Sequence, residues 1–197
     1  RGFTVFQDEN MFINEFEYLE TRDQTKCWND INNDLISDIP MDRLICGDVG
    51  FGKTEMAIRT AYRYASNSMK IIVLAPTTIL AQQLFGSFNK RLKNYGVIID
   101  IVSRFKTKKQ VQKIKKIWLN NKLDIIVGTH AVLYDNIYLE GCDLLIIDEE
   151  HRFGVKQKEK IKELNPSIDI LTMSATPIPR TLNMALAGMK KISTLST

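Results

Sequence analysis

A glycine-rich turn between a strand and a helix is predicted at residues 47–54, where GDVGFGKT fits the pattern G-x-x-x-x-G-K-[ST]. The segment follows an apolar run, Arg43 to Cys46, and opens a stretch with helical periodicity. Glycines allow such a turn to bring backbone N–H groups close to phosphate oxygens, and the following helix directs its positive dipole end at the same place. A chance glycine-rich turn would not explain the flanking strand and helix. We therefore predict a P-loop that binds ATP through Gly47, Asp48, Val49, Gly50, Phe51, Gly52, Lys53 and Thr54.

A pair of acidic residues follows a second apolar strand. Leu144 to Ile147 is entirely apolar and leads into Asp148-Glu149-Glu150-His151. Ligands of open α/β sheets bind at the carboxyl ends of strands, and adjacent carboxylates are costly unless a cation neutralises them. We expect Asp148 and the Thr54 hydroxyl to hold Mg²⁺, Lys53 to reach the β and γ phosphates, and Glu149 to act as general base.

Short β-rich runs alternate with helical patterns along the chain, which predicts an α/β fold with a mostly parallel sheet. Several runs are apolar at every position, as expected for strands covered by helices on both faces. We predict a doubly wound, three-layer domain over residues 16–197, and treat residues 1–15, which lack a clear period, as a leading segment or the end of a preceding domain. The predicted strands are Arg43 to Cys46, Ile71 to Ala75, Val97 to Val102, Ile125 to Val127, Leu144 to Ile147 and Ile168 to Thr172.

Composition places the chain in the globular class. It has 197 residues, 44% hydrophobic and 25% charged, with a net charge of +4. The three cysteines and two histidines show no metal-ligand spacing, so we predict no zinc site. The start of the chain lacks a signal-peptide pattern and no segment is apolar enough to cross a membrane, so we expect a cytoplasmic protein without a membrane partner.

A lysine-rich helix is predicted after Thr107, which forms a capping-box pattern with Gln110. Its lysines surround an apolar stripe that includes Ile114 and Trp118. A solvated face is the favoured interpretation and a DNA track is the alternative.

Taken together, the motifs resemble those of the superfamily 2 helicases and translocases, and within them the first motor lobe of the bacterial transcription-repair coupling factors. The resemblance covers roughly residue 12 to the end and implies a RecA-like P-loop NTPase lobe. Its blocks are GDVGFGKTE, APTTILAQQ, SRF, GTH, DEEHRFGV and SATPIPRTLNMA. The fork-reversing helicases share HRFGV and TPIPRTL, but usually have Gln where this chain has Glu150 and Ser where it has Phe51.

The resemblance also implies roles that the residues alone do not. Gln24, which alone would be interpreted as a solvated helix residue, is similar to the glutamine that recognises the adenine edge, and either Phe16 or Tyr18 would be its aromatic partner. Five residues match positions that contact the DNA backbone without reading sequence. They are Thr77, Thr78, Arg104, Thr129 and His130. His151, Ser174 and Thr176 match the residues that couple nucleotide state to DNA contact.

Members of that family track along double-stranded DNA, displace a stalled RNA polymerase and recruit excision-repair proteins. These implied partners would be bound through domains outside this chain. Nothing after Ser174 to Ala185 resembles a second set of motor motifs, so a second RecA-like lobe would have to supply the arginine fingers. Since such a finger contributes about 10³ to 10⁵ in rate, we expect the isolated lobe to hydrolyse ATP poorly. The alternatives are a fork-reversing helicase lobe and a nucleotide- and DNA-binding module without turnover.

Overall fold

The described residues of the computed structural model, 2–149, 154–176, 178–179, 181–182 and 191–196, form one parallel sheet with helices on both faces. The order of its strands is β3-β4-β2-β5-β6-β1-β7. The strands are β1 Asp42–Gly47, β2 Ile71–Ala75, β3 Ile99–Val102, β4 Ile125–Thr129, β5 Leu144–Asp148, β6 Asp169–Ser174 and β7 Lys191–Leu195. The helices are α1 Asp8–Asn14, α2 Arg22–Ile36, α3 Lys53–Ser66, α4 Thr78–Leu92, α5 Lys108–Leu119, α6 Asn136–Glu140 and α7 Val155–Leu164. The predicted α/β class and parallel sheet are confirmed.

Each face of the sheet has its own hydrophobic core, because successive side chains of a strand point to opposite faces. In β2, Ile71 and Val73 pack on one side with residues of α1 to α4, whereas Ile72 and Leu74 pack on the other side with residues of α5 to α7. All five residues of β2 are buried. The uniformly apolar runs in the sequence are therefore strands covered on both sides.

The predicted strand boundaries agree with the structure to within two residues, and the shift at the start of β3 has a local reason. The strand predicted from Val97 begins at Ile99. Gly96 adopts a left-handed conformation after a short 3-10 helix, and the Ile98 N–H donates to the Asp124 side chain at 2.8 Å instead of to a neighbouring strand.

Two of the elements within the described residues were not predicted from the sequence. Strand β7 pairs in parallel with β1 at the edge of the sheet. Helix α1 lies within residues 1–15, where no periodicity was found; its Phe12 is fully buried and its Glu9 pairs with Arg63 of α3 at 2.5 Å. Two buried side chains in a helix of seven residues are too few to create a clear periodicity, but they fasten the segment to the lobe.

The lysine-rich helix α5 begins where it was predicted. Thr107 and Gln110 form the capping box, and Ile114 and Trp118 are buried. Lys115 pairs with Asp135 at 2.7 Å. Its other lysines, Lys108, Lys109, Lys113 and Lys116, are exposed.

Candidate nucleotide site and carboxyl edge

The P-loop joins the end of β1 to the start of α3. Gly50 and Gly52 both have φ of +90°, a conformation that a side chain would strain. Gly52 is the N-cap of α3 and offers no side-chain cap, so the first N–H groups of the helix remain available to an anion. The predicted glycine turn thus has the backbone conformation that a phosphate cradle requires.

Lys53 folds back on the loop from which it comes. Its Nζ donates to the carbonyl of Gly47 and, at 2.9 Å, to that of Asp48. Partial burial lowers the pKa of Lys53, while the charges of Glu149, Asp148 and Asp48 oppose that shift. The amine therefore lies within electrostatic reach of both acids that end β5.

The acid pair is fixed by the neighbouring strand. Asp148 is the last residue of β5, and Glu149 has a φ of +60° with its N–H donating to the Met173 carbonyl of β6 at 2.9 Å. Left-handed backbone at a non-glycine residue costs roughly 1–2 kcal/mol, which this hydrogen bond helps to offset. Burial, together with the charge of Glu149, raises the pKa of Asp148, and Lys53 opposes the rise. Glu150 and His151 lie outside the described residues.

The P-loop and the acid pair line one cleft with a volume of about 980 Å³. Lys53, Thr54, Asp148 and Glu149 all contribute to its wall, with Ala175 beside them. They meet because β6 alone separates β1 from β5, and the registers Cys46 with Ser174 and Met173 with Asp148 bring the three strand ends level. The sequence motifs that we expected to share a ligand therefore face the same space.

Gln24 forms another wall of this cleft and is 5% exposed, so the solvated interpretation is wrong. Its Oε1 accepts from the Thr21 N–H at 3.0 Å, closing the capping box of α2, and its Nε2 donates to the Phe51 carbonyl at 2.9 Å. A side chain at Gly52 would collide with this amide. Gln24 thus ties α2 directly to the P-loop.

Two aromatic residues upstream of Gln24 also line the cleft. Phe16 is half-buried and Tyr18 is 72% exposed, with their rings edge to face at 5.5 Å. The far end of the cleft is formed by α4, through side chains such as Gln83 and Ser87. Gln83 ends the APTTILAQQ block, but no ligand was predicted for it or for Ser87, because polar residues on an exposed helix face are common in any domain.

The residues matched to DNA contacts lie at the other half of the same sheet edge, after β2, β3 and β4. Thr77 caps α4, its hydroxyl accepting from the Leu80 N–H at 3.2 Å, and Thr78 begins that helix. Thr129 ends β4 and His130 follows it; burial lowers the pKa of His130 and keeps the imidazole neutral at pH 7. Arg104 is exposed, with its guanidinium 5.2 Å from the centre of the Phe105 ring.

The lobe matches a known protein family over most of its length. Residues 21–185 match the model of the DEAD/DEAH box helicases. The chain belongs to the DEAD/DEAH box helicase family. Its fold is accordingly that of a helicase lobe, and nucleotide binding is a property of that family.

Among curated proteins, this helicase lobe is similar to transcription-repair-coupling factors. It is 49% identical to that of Buchnera aphidicola over 95% of this chain and 23% of the relative, and 46% identical to that of Escherichia coli over 100% of this chain and 17% of the relative. The chain thus spans about a fifth of the length of these curated relatives. Homology to the coupling factors, expected from the motif blocks, is confirmed.

Solved structures give the same fold. The helicase lobe superposes on RecG bound to a three-way DNA junction with a TM-score of 0.82 and 31% identity, covering 95% of this chain and 25% of that one. The DUF1998 helicase MrfA bound to DNA and AMPPNP shares the fold with a TM-score of 0.70 at 16% identity, covering 98% of this chain and 29% of that one. None of the helices in the described ranges has the length and apolar character needed to cross a bilayer.

The residues matched to coupling lie beside the nucleotide cleft of the helicase lobe. Ser174 ends β6, is 7% exposed, and its hydroxyl accepts from the Thr176 N–H at 3.1 Å. His151, the third member of this group, falls outside the described residues. The two that are described therefore lie at the end of the strand that separates the P-loop from the acid pair, and just after it.

Proposed function

We propose that this chain is the ATP-binding lobe of a double-stranded DNA translocase that removes stalled RNA polymerase and couples transcription to nucleotide excision repair. Its sequence identity of 46% to 49% to coupling factors, over nearly the whole chain, supports the biological role. The observation that carries the chemistry is that Lys53, Thr54, Asp148 and Glu149 line one cleft. RNA polymerase and the repair proteins would be bound by domains outside this chain.

The phosphates of ATP would lie between the P-loop and the end of β5. Gly50 and Gly52 shape the loop, and the open N–H groups at the start of α3 would donate to phosphate oxygens. The Lys53 amine, now bonded to the carbonyls of Gly47 and Asp48, would turn to the β and γ phosphates, gaining charged acceptors in place of neutral ones.

Oxygen donors for Mg²⁺ are available in the same cleft. Thr54 supplies a hydroxyl and Asp148 a carboxylate, the ligand types that Mg²⁺ prefers. Burial and the charge of Glu149 raise the pKa of Asp148, and a bound cation would offset that rise. An ion held by Thr54 and Asp148 would supply positive charge that stabilises the charge developing during phosphoryl transfer. The Glu149 carboxylate would accept the proton of the attacking water as that water bonds to the γ phosphorus and ADP leaves.

Gln24 retains the groups needed to recognise adenine. Its Oε1 has a second lone pair and its Nε2 a second hydrogen beyond those used by Thr21 and Phe51. These two groups complement the N6 amine and N7 acceptor of adenine. Phe16 or Tyr18 would contact the face of the base.

The opposite half of the edge would contact DNA phosphates. Thr77, Thr78 and Thr129 offer hydroxyl or backbone donors and Arg104 a charge, whereas neutral His130 would offer a single N–H. Ser174 and Thr176, with His151, would relay nucleotide state to this half, since β6 borders the nucleotide cleft. Opening and closing against a second RecA-like lobe would convert hydrolysis into movement.

Lys53→Ala tests the nucleotide site. We expect this variant to lose at least about 100-fold in ATP affinity, measured by titration calorimetry, because a charge-assisted contact to two phosphates disappears. Lys90→Ala is the matched control: Lys90 lines the far end of the same cleft, with a 75% exposed side chain. Wild-type ATP affinity in Lys53→Ala would contradict the proposal.

Phosphate release by the isolated lobe, with and without DNA, separates a poor ATPase from a module without turnover.

A helicase for branched DNA is the second candidate, favoured by the similarity to RecG on a three-way junction. The full-length protein decides between the two. Displacement of a stalled RNA polymerase supports the coupling role, whereas regression of a model fork without displacement would favour the branched-DNA role.

A further inference from the structure

A buried arginine lies behind the aromatic wall of the cleft. Arg59 of α3 is 1% exposed and does not itself line the cleft. Its Nε donates to Glu55 at 3.1 Å and its Nη1 donates to Glu20 at 3.1 Å. The same guanidinium lies 5.5 Å from the centre of the Phe16 ring. One planar group thus contacts the P-loop helix and two points of the segment before Gln24.

The inner partner of Arg59 is held from both sides. Glu55 follows Thr54 directly, is 5% exposed, and also accepts two hydrogen bonds from Arg91 of α4, at 2.6 and 3.1 Å. Arg91 in turn donates to the Phe12 carbonyl at 2.9 Å. Because both carboxylate oxygens are occupied, Glu55 gives Arg59 a fixed anchor at the start of the P-loop helix.

The outer partners belong to a segment without regular structure. Phe16 and Glu20 lie between the end of α1 at Asn14 and the start of α2 at Arg22. The backbone of such a segment does not define the position of a ring. The guanidinium of Arg59 lies over the face of the Phe16 ring. The rings of Phe16 and Tyr18 meet edge to face, and Tyr18 is largely exposed. Of these two contacts, only the one to Arg59 involves a buried side chain that is itself held by an ion pair with Glu55.

We propose that Arg59 is a positioning residue for base recognition: it fixes Phe16 at a set distance from the P-loop, so that an adenine stacks on Phe16 while its triphosphate reaches Lys53. The inference rests on the nucleotide site proposed above. It assigns Phe16, rather than Tyr18, as the stacking partner and predicts that the contribution of the base to ATP affinity depends on a residue that does not touch the nucleotide.

A lysine cannot replace this group. Its ammonium is a point charge that can keep the contact to Glu55 but cannot also reach Glu20 and cover the ring. Arg63 provides a matched control on the same helix. It pairs with Glu9 at 2.5 and 2.7 Å and lies 5.5 Å from the centre of the Trp28 ring, but neither Arg63 nor these partners line the cleft.

The test compares Arg59→Lys, Arg63→Lys and the unaltered 197-residue chain in competition binding of ATP, GTP and inorganic tripolyphosphate. We expect the unaltered chain to bind ATP more tightly than tripolyphosphate. Arg59→Lys should lower the ATP-to-tripolyphosphate affinity ratio by at least about fivefold, the scale of losing a base–aromatic stack, while tripolyphosphate binding is unchanged. GTP should lose affinity in parallel, because every base has a π-face that can stack. Arg63→Lys should lower thermal stability without changing the ATP-to-tripolyphosphate ratio.

Each other outcome counts against the inference. An unchanged ATP-to-tripolyphosphate ratio in folded Arg59→Lys overturns it, as does an unaltered chain that binds ATP no more tightly than tripolyphosphate. Loss of tripolyphosphate binding along with ATP would show a general defect rather than a positioning role. An unaltered chain that binds none of the three ligands would refute the nucleotide site itself, and the inference with it. Should Arg59→Lys not fold, Glu20→Ala takes its place, since that side chain is 30% exposed; an unchanged ratio there overturns the inference equally.

Discussion

The carboxyl edge of the sheet is built differently in its two halves. In the half formed by β1, β6 and β5, loops are fixed by backbone contacts: Lys53 bonds two carbonyls, and the Glu149 N–H donates to Met173. A side chain at Gly47 would approach the Leu195 carbonyl oxygen to 2.7 Å. In the half formed by β2, β4 and β3, the candidate residues stand at the ends of elements, and Arg104 is exposed.

This difference corresponds to the two proposed ligands. A small molecule that is mostly enclosed needs a geometry prepared before it binds. A duplex backbone is a repeating polyanion, which exposed donors and charges can follow without a closed pocket. We therefore expect the half formed by β1, β6 and β5, the nucleotide half, to depend on backbone geometry as well as on its charged groups. The half formed by β2, β4 and β3, the DNA half, should act mainly through charge.

Glu149→Gln should have the largest effect. Turnover in the full-length protein should fall by at least about 10²-fold, because the amide cannot accept a proton, while ATP affinity is retained. Rapid-quench measurement of phosphate release, beside calorimetric ATP binding, separates the two steps. Wild-type turnover in this variant would show that Glu149, in the nucleotide half of the edge, does not activate the attacking water.

Arg104→Ala examines the exposed half. DNA affinity should fall several-fold with little dependence on sequence, and the slope of log affinity against log salt should decrease by about 0.9, as expected for one lost phosphate contact. Fluorescence anisotropy at several salt concentrations measures both quantities. Lys122→Ala, which removes an exposed charge on the loop before β4, is the control. An unchanged slope of log affinity against log salt would show that Arg104 does not contact the DNA phosphates.

A pair of glycine substitutions tests how strictly the nucleotide half depends on its backbone. Gly50→Ala and Gly52→Ala each place a side chain at φ +90°, at a cost of about 1–2 kcal/mol. A side chain at position 50 would meet open space, whereas one at position 52 would also displace the Gln24 amide. Denaturant unfolding should therefore show Gly52→Ala to be the less stable variant. Equal losses would mean that the Gln24 contact contributes nothing to the fold.

The same contrast explains what the sequence could and could not predict. The nucleotide half was predictable because a phosphate cradle needs glycine at fixed positions, and buried parallel strands need apolar residues on both faces. The DNA half uses threonine and arginine at ordinary loop positions, so it was suggested only by the family resemblance. Strand β7 was missed because just two of its five residues are buried, and the packing of Arg59 against Phe16 joins positions too far apart in sequence to form a pattern.

Asp148→Asn should have the smallest effect, a change in melting temperature. It tests the role of charge within the nucleotide half. Because the pKa of Asp148 is raised by burial and by Glu149, its ionised form destabilises the ligand-free fold above that pKa. The penalty vanishes below the unfolded value of about 3.9, where both states are protonated. Asp148→Asn should therefore raise the melting temperature at pH 7, with a gain that shrinks as the pH is lowered towards 4, while binding of Mg²⁺ with ATP weakens. A melting temperature that falls at pH 7 would show that Lys53 already compensates the carboxylate, and that the nucleotide half stores no electrostatic cost for a cation to relieve.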